Sequence, residues 1–213
     1  MAVFNELEEK GIAVVDGIQS KEDLIALAKS LGSIKLNQNG SAVSILRPSK
    51  GQNALKGTFS HVHGLSAFPM HTDTAFLGVP VRYLVFGMIG SSSCATTYVH
   101  FNEICKASRI DLMRVAKRAV YLSDTFEERK YIGVAFTHDR KNGIRFDPNV
   151  MRPMNADAKK FHECVSHILD SIAAHQVDWT GNRAVIIDNW KVLHGRDKTT
   201  DEDREILRIY VEN

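Results

Sequence analysis

The segment Phe68-Pro69-Met70-His71-Thr72-Asp73-Thr74-Ala75-Phe76 sets an imidazole and a carboxylate two residues apart. In extended backbone that spacing turns both side chains to one face, where they can bind a single ion together. With nine histidines in the chain, such a pair is not selective by itself and reads equally as the polar end of a strand. A second histidine gives it weight. His194 stands near the end of Ile186-Ile187-Asp188-Asn189-Trp190-Lys191-Val192-Leu193-His194-Gly195-Arg196, past a buried strand and its turn. Two histidines and one carboxylate make a facial triad, which leaves three cis positions of Fe(II) open for a co-substrate and O2. Taken alone, His194 reads as a satisfied core or turn histidine.

Arg204 follows His194 by ten residues and Arg208 comes four later. If Arg204 to Val211 is a strand, both arginines face one side, and a guanidinium there can grip a carboxylate through two parallel hydrogen bonds. The distal carboxylate of 2-oxoglutarate is such a ligand. Singly, each arginine reads as a surface ion-pair former. Near the His-x-Asp segment, His61 and His63 read either as the lining of a polar pocket or as solvated loop residues. Arg196 reads as a substrate contact or as a clamp on the turn, and Trp190 as core. Arg196 and Arg208 make a small anionic substrate, such as an amino acid or another carboxylate, the first expectation.

These residues need elements to position them. The opening reads as a helix over Phe4 to Lys10, an apolar strand over Ile12 to Val15 and a helix over Lys21 to Leu31 ended by Gly32. From Ser33 to Phe68 the chain is polar, with an apolar run at Ala42 to Leu46 and a loop at Pro48 to Asn53. Strands are expected at Arg82 to Ile89, Thr96 to His100, Ala119 to Leu122, Tyr131 to Thr137 and Gly143 to Phe146, with a helical insert near Asn102 to Ala116. After Pro153, apolar residues at three-to-four spacing (Ala158, Phe161, Val165, Ile168, Leu169, Ile172) predict an amphipathic helix over Asn155 to Ala174. Two strands follow, Arg183 to Asp188 and Ile206 to Val211, around a charged loop at Gly195 to Asp203.

Composition narrows the class. The chain has 213 residues, 44% of them hydrophobic and 24% charged, which suits a soluble domain with a sizeable core. The net charge of +2 comes from 27 basic and 25 acidic residues without a basic stripe, so nucleic acid is not an expected partner. The longest apolar stretches fall far short of the roughly 20 residues that span a bilayer, so no membrane association is expected. Cys94, Cys105 and Cys164 are odd in number, have no CxxC spacing and follow no secretory leader, which predicts a cytoplasmic location. The oligomeric state is open, a homo-oligomer being compatible with all of this.

Taken together, His71 to Phe76, Ala95-Thr96-Thr97-Tyr98-Val99, Asp188 to Arg196 and Arg204 to Val211 resemble the TauD/TfdA and clavaminate-synthase-like superfamily of Fe(II)/2-oxoglutarate-dependent dioxygenases. Gly11 to Val15 with Leu27 to Gly32 resembles that family's opening, and Ile144-Arg145-Phe146-Asp147-Pro148 its clavaminate-synthase-like branch, so the likeness covers nearly the whole chain. It implies an α+β, mainly β fold: a double-stranded β-helix, or jelly roll, with flanking helices, in one domain over residues 1–213. It implies His71, Asp73 and His194 on iron, Arg204 on the C5 carboxylate of 2-oxoglutarate, and Thr97 hydrogen-bonding a carboxylate of the same molecule. Arg208 stands where some relatives touch an anionic substrate and others 2-oxoglutarate. The chain is shorter than most relatives, which implies reduced substrate-covering insertions. Related halogenases have a small residue in place of Asp73, so the carboxylate implies hydroxylation or another C–H oxidation of a small-molecule substrate, with 2-oxoglutarate converted to succinate and CO2. Two other classes stay open: a zinc hydrolase, for which Arg204 would be dispensable, and a non-catalytic β-helix binding or sensor module.

Overall fold

Along the strand Tyr83–Met88 (β5), Leu84, Phe86 and Met88 turn one way while Tyr83 and Val85 turn the other, and all are buried. A strand apolar on both faces needs a layer on each side, and this one has both. The computed structural model describes residues 2–48, 62–125 and 128–212. The predicted loop beyond Pro48, and His61, lie outside them.

The larger sheet runs Ile12–Asp16 (β1), Arg183–Asp188 (β13), β5, Ile206–Glu212 (β15) and Ser33–Lys35 (β2), with Ser44–Leu46 (β3) also on β15. Its outer face is covered by the helices Ala2–Lys10 (α1) and Lys21–Leu31 (α2), whose Leu7, Leu24, Ala28 and Leu31 pack on Val85, Ile186, Leu207 and Ile209. Ser20 and Asp23 close a reciprocal capping box at the start of α2. Gly87 lets α2 sit this close, because a Cβ there would come within 2.7 Å of Leu24.

The inner face meets a second sheet of four strands, His175–Trp179 (β12), Ser92–His100 (β6), Val192–Arg196 (β14) and Phe68–His71 (β4). Leu84, Phe86, Val185, Ile187, Trp179 and Val192 fill the space between the sheets. All recorded pairings in both are antiparallel, giving the expected jelly roll of two facing sheets. On the far side of the smaller sheet, the helices Phe101–Ala107 (α3), Leu112–Ala116 (α4) and Ala156–Ser171 (α5) cover Val99 and Leu193. Beside them lie the three-stranded sheet of Met151–Pro153 (β11), Val120–Asp124 (β7) and Arg129–Gly133 (β8), and the hairpin of Ala135–His138 (β9) and Lys141–Ile144 (β10).

Two expectations are corrected. The single strand over Tyr131 to Thr137 is two, because β8 pairs with β7 while β9 turns back on β10, with Val134 between them accepting from the Arg145 amide. The helix over Asn102 to Ala116 is also two. Ser108 Oγ bonds the backbone of Ile110, and Asp111 caps Arg114, so local side-chain bonds replace the helical ladder there. The short strands β2, β11 and β12 were not anticipated, nor was β14, whose Gly195 and Arg196 were expected in the charged loop. Among the described residues no helix is long and apolar enough to cross a membrane.

Candidate active site

His71 closes β4 and His194 lies in β14, and the antiparallel register sets these two residues directly opposite each other. Their ring centroids are 4.4 Å apart. The strands approach this closely because Gly195 has no side chain: a Cβ there would stand 2.7 Å from the Phe68 carbonyl oxygen. Asp73 follows β4 by two residues, and its Oδ1 lies 3.0 Å from His71 Nε2 and 3.8 Å from His194 Nε2. All three side chains are buried, with their ligand atoms within 4.8 Å of one another.

The loop carrying Asp73 is held from three directions. The Thr72 amide donates to the Phe146 carbonyl, and Thr72 Oγ1 accepts from the Phe146 amide. Asn189, fully buried at the end of β13, accepts from the Asp73 amide at 2.8 Å and donates to the carbonyls of Asp73 and Val81. The Arg145 guanidinium donates to the carbonyls of Ala75, Leu77 and Gly78. Burial pushes Arg145 down to about 10, still charged at neutral pH. Between these clamps Thr74 adopts φ 54°, a left-handed conformation that costs a β-branched residue on the order of 1–3 kcal/mol. The sequence reading assigned no role to Asn189 or Arg145. Their only sequence signal is position, each being a polar residue beside an apolar run.

The protonation pattern leaves donor atoms for a cation. His71 Nδ1 lies 3.0 Å from the Pro69 carbonyl, which fixes the proton on that nitrogen and leaves Nε2 for a ligand. Burial works to lower the His71 pKa, but Asp73 and Asp147 raise it overall. For Asp73 burial works upward, and Arg208 and the two histidines outweigh it, holding the carboxyl well below its ordinary range. Burial and the neighbouring His71 push His194 down to about 3, so it is neutral. Two imidazole nitrogens and one carboxylate oxygen, buried and convergent, are a donor set that fits Fe(II).

The triad lies against a cavity of about 610 Å³ whose lining includes His63, Phe76, Thr96, Asp147, Arg204 and Arg208. Alternation in β15 turns Leu207 and Ile209 outward to the helices, and Arg208 and Tyr210 inward. Arg204, buried just before the strand, donates to the Cys94 carbonyl at 3.1 Å and to Thr96 Oγ1 at 3.2 Å. The structure brings Thr96, not Thr97, into the cavity. In β6 alternate residues face opposite sides, and Thr97 turns the same way as Val99, toward the outer cluster. Arg196 clamps the segment that leads into β4, donating to the carbonyls of Gly64 and Ser66. His63 lines the cavity with Nε2 2.7 Å from Asn149 Oδ1. Trp190 is core, its Nε1 donating to the Pro80 carbonyl beneath the Arg82 guanidinium.

Residues 98–210 match the family described as "Taurine catabolism dioxygenase TauD, TfdA family". No curated protein matches the chain. Among solved structures, asparagine oxygenase with Fe(II), 2S,3S-3-hydroxyasparagine and succinate is similar at TM-score 0.82 and 13% identity, over 99% of this chain and 78% of that one. The oxygenase OrfP with Fe and alpha-ketoglutaric acid is similar at TM-score 0.76 and 17% identity, over 99% and 77%. PvcB from Pseudomonas aeruginosa is similar at TM-score 0.74 and 18% identity, over 100% and 79%. At these identities the likeness is one of fold.

Proposed function

The chain belongs to the TauD/TfdA family of dioxygenases, and from that membership we propose that it acts as one domain, over residues 1–213, that oxidises a C–H bond of a small amino-acid-like substrate. The cofactor is Fe(II), with 2-oxoglutarate as co-substrate. The observation that carries the reading is the convergence of His71, Asp73 and His194 at a cavity that also holds a buried arginine, Arg204.

Iron(II) bound there supplies oxygen activation: one atom of O2 goes to 2-oxoglutarate, giving succinate and CO2, and the other serves oxidation of the substrate. The chain's own residues bind and orient. Arg204 is anchored by Cys94 and Thr96 and has guanidinium donors left for the C5 carboxylate. Thr96 Oγ1 accepts from both Arg204 and Trp179 Nε1, so its own hydroxyl proton is available to a ligand oxygen. Thr96 therefore takes the role the resemblance gave to Thr97.

For the substrate, the solved structures of asparagine oxygenase and OrfP hold hydroxylated amino acids, 3-hydroxyasparagine and (3S)-hydroxy-L-Arg. The cavity here supports the same class through Asp147. The residue is 4% exposed, its carboxylate accepts from the Asn149 amide and side chain, and burial raises its pKa. A substrate ammonium beside it would stabilise the carboxylate that burial disfavours. Arg196 and Arg208 also line the cavity, although Arg196 donates to backbone carbonyls and Arg208 to Asp73, so an anionic group of the substrate would meet only their remaining donors.

The test is anaerobic. Fe(II) followed by 2-oxoglutarate is expected to give the weak visible charge-transfer band of the chelate in the wild type. The band should be lost in His194→Ala and should need at least tenfold more 2-oxoglutarate in Arg204→Ala. A folded wild type with no band at saturating co-substrate would refute the assignment.

A further inference from the structure

We propose that Arg208 is a positioning residue of the metal centre: it holds Asp73 Oδ2 so that this carboxylate offers Oδ1 alone to the metal. The proposal rests on the assignment of His71, Asp73 and His194 as metal ligands. It differs from both roles the sequence suggested for Arg208, as an anchor for substrate or for 2-oxoglutarate.

The two oxygens of Asp73 face different partners. Oδ1 points to the histidines, 3.0 Å from His71 Nε2 and 3.8 Å from His194 Nε2. Oδ2 accepts from Arg208 Nη1 at 2.8 Å. The guanidinium is held in that orientation by the Tyr210 ring, 4.4 Å from its carbon, and by the backbone of β15, where Arg208 pairs with Phe86 on one side and Ser44 on the other. Reaching Asp73 leaves Arg208 Nε buried without a partner among the described residues, a cost that the ion pair offsets. Arg204, four residues earlier and turned to the same cavity, engages Cys94 and Thr96 instead. The two arginines thus divide the work, one facing the ligand carboxylate and the other the metal-binding carboxylate.

A carboxylate with both oxygens free can take two coordination positions of a metal. Beside two histidines it would then leave two positions open, one too few for a bidentate 2-oxo acid and O2 together. Occupying Oδ2 with a cation removes that option. It also leaves the Asp73–Arg208 pair neutral before the metal arrives.

Co(II) in place of Fe(II), without 2-oxoglutarate, isolates the point, because its visible bands report coordination before any co-substrate is present. The Co(II) spectrum of Arg208→Met is expected to differ from wild type, with Arg208→Lys, which keeps one donor for Oδ2, returning toward it. Arg204→Met should match the wild-type Co(II) spectrum and show only a weakened 2-oxoglutarate titration. Should Arg208→Met fail to fold by circular dichroism, Arg208→Gln, uncharged and shorter, carries the same comparison. An Arg208→Met spectrum identical to wild type, with only ligand affinity altered, would overturn the proposal and make Arg208 a ligand anchor. A wild type that takes up no Co(II) would instead overturn the metal-site assignment, and the proposal with it.

Discussion

His194 is neutral in the folded protein, since burial and His71 push it down to about 3, whereas in an unfolded chain it titrates near 6.5. The depressed value sets the sign of a pH effect. Below 6.5 the unfolded state binds a proton that the folded state refuses, so acid favours unfolding through this residue. The loss approaches about 1.4 kcal/mol per pH unit and continues until the folded value is reached. His71, whose folded pKa is raised, opposes this loss near 6.5 and adds no slope well below it, where both states are protonated. Urea unfolding of the metal-free protein at pH 6, 5 and 4 is therefore expected to show a steeper acid loss in the wild type than in His194→Gln. Equal slopes would mean that His194 is accessible to protons in the folded state. The three residues that converge at this scale were legible as a candidate donor set from residue types and spacing. The proton states were not, because they depend on burial and on neighbours that are remote in sequence.

The strand pair β4 and β14 carries both histidines, and its closeness depends on Gly195. A valine there would push a Cβ against the Phe68 carbonyl and the Met70 amide, both backbone atoms that cannot swing aside. Gly195→Val is expected to cost about 1–3 kcal/mol of stability and, by separating His71 from His194, to weaken Mn(II) binding at least tenfold with the helix content unchanged. Wild-type metal affinity in that variant would show that β4 can shift without disturbing the site. The same scale explains what the sequence concealed. The alternation of apolar residues marked β5, β13 and β15, each buried on both faces or clearly two-sided. It did not mark β12, whose His175-Gln176-Val177-Asp178-Trp179 buries only Val177 and Trp179 at the sheet edge, or the three-residue strands β2 and β11. In β6, adjacent threonines gave no sign of which one faces inward. Register with β14 settled it in favour of Thr96.

For the whole molecule, two sheets are pressed together from outside by α1 and α2 on one side and by α3 to α5 on the other, with the candidate site between the sheets at one end. Its three candidate metal ligands come from two segments more than a hundred residues apart, so they converge only in the folded state. Binding there must stabilise the fold by mass action. At a metal concentration 100 times the dissociation constant the gain is about 2.7 kcal/mol, or roughly 5–10 °C in Tm for a chain of this size. Scanning calorimetry with Mn(II) should show that rise, a chelator should reverse it, and His194→Ala should abolish it. A shift that survives in His194→Ala would place the metal elsewhere.

By itself the sequence determined the chemistry on offer, through a His-x-Asp pair, a distant histidine and two arginines four residues apart, together with the strands and helices whose apolar periodicity is strong; the second arginine alone lies in β15, which begins at Ile206. The tertiary structure alone decided how those groups are used. Which threonine meets Arg204, the commitment of Arg208 to Asp73, the seating of Asn189 against the Asp73 backbone and the burial of Asp147 all depend on register and on contacts across long loops. The physical reason is one of range. Periodicity reports which face of a single element is buried, whereas the partner across the sheet is set by pairing between segments that the sequence places far apart.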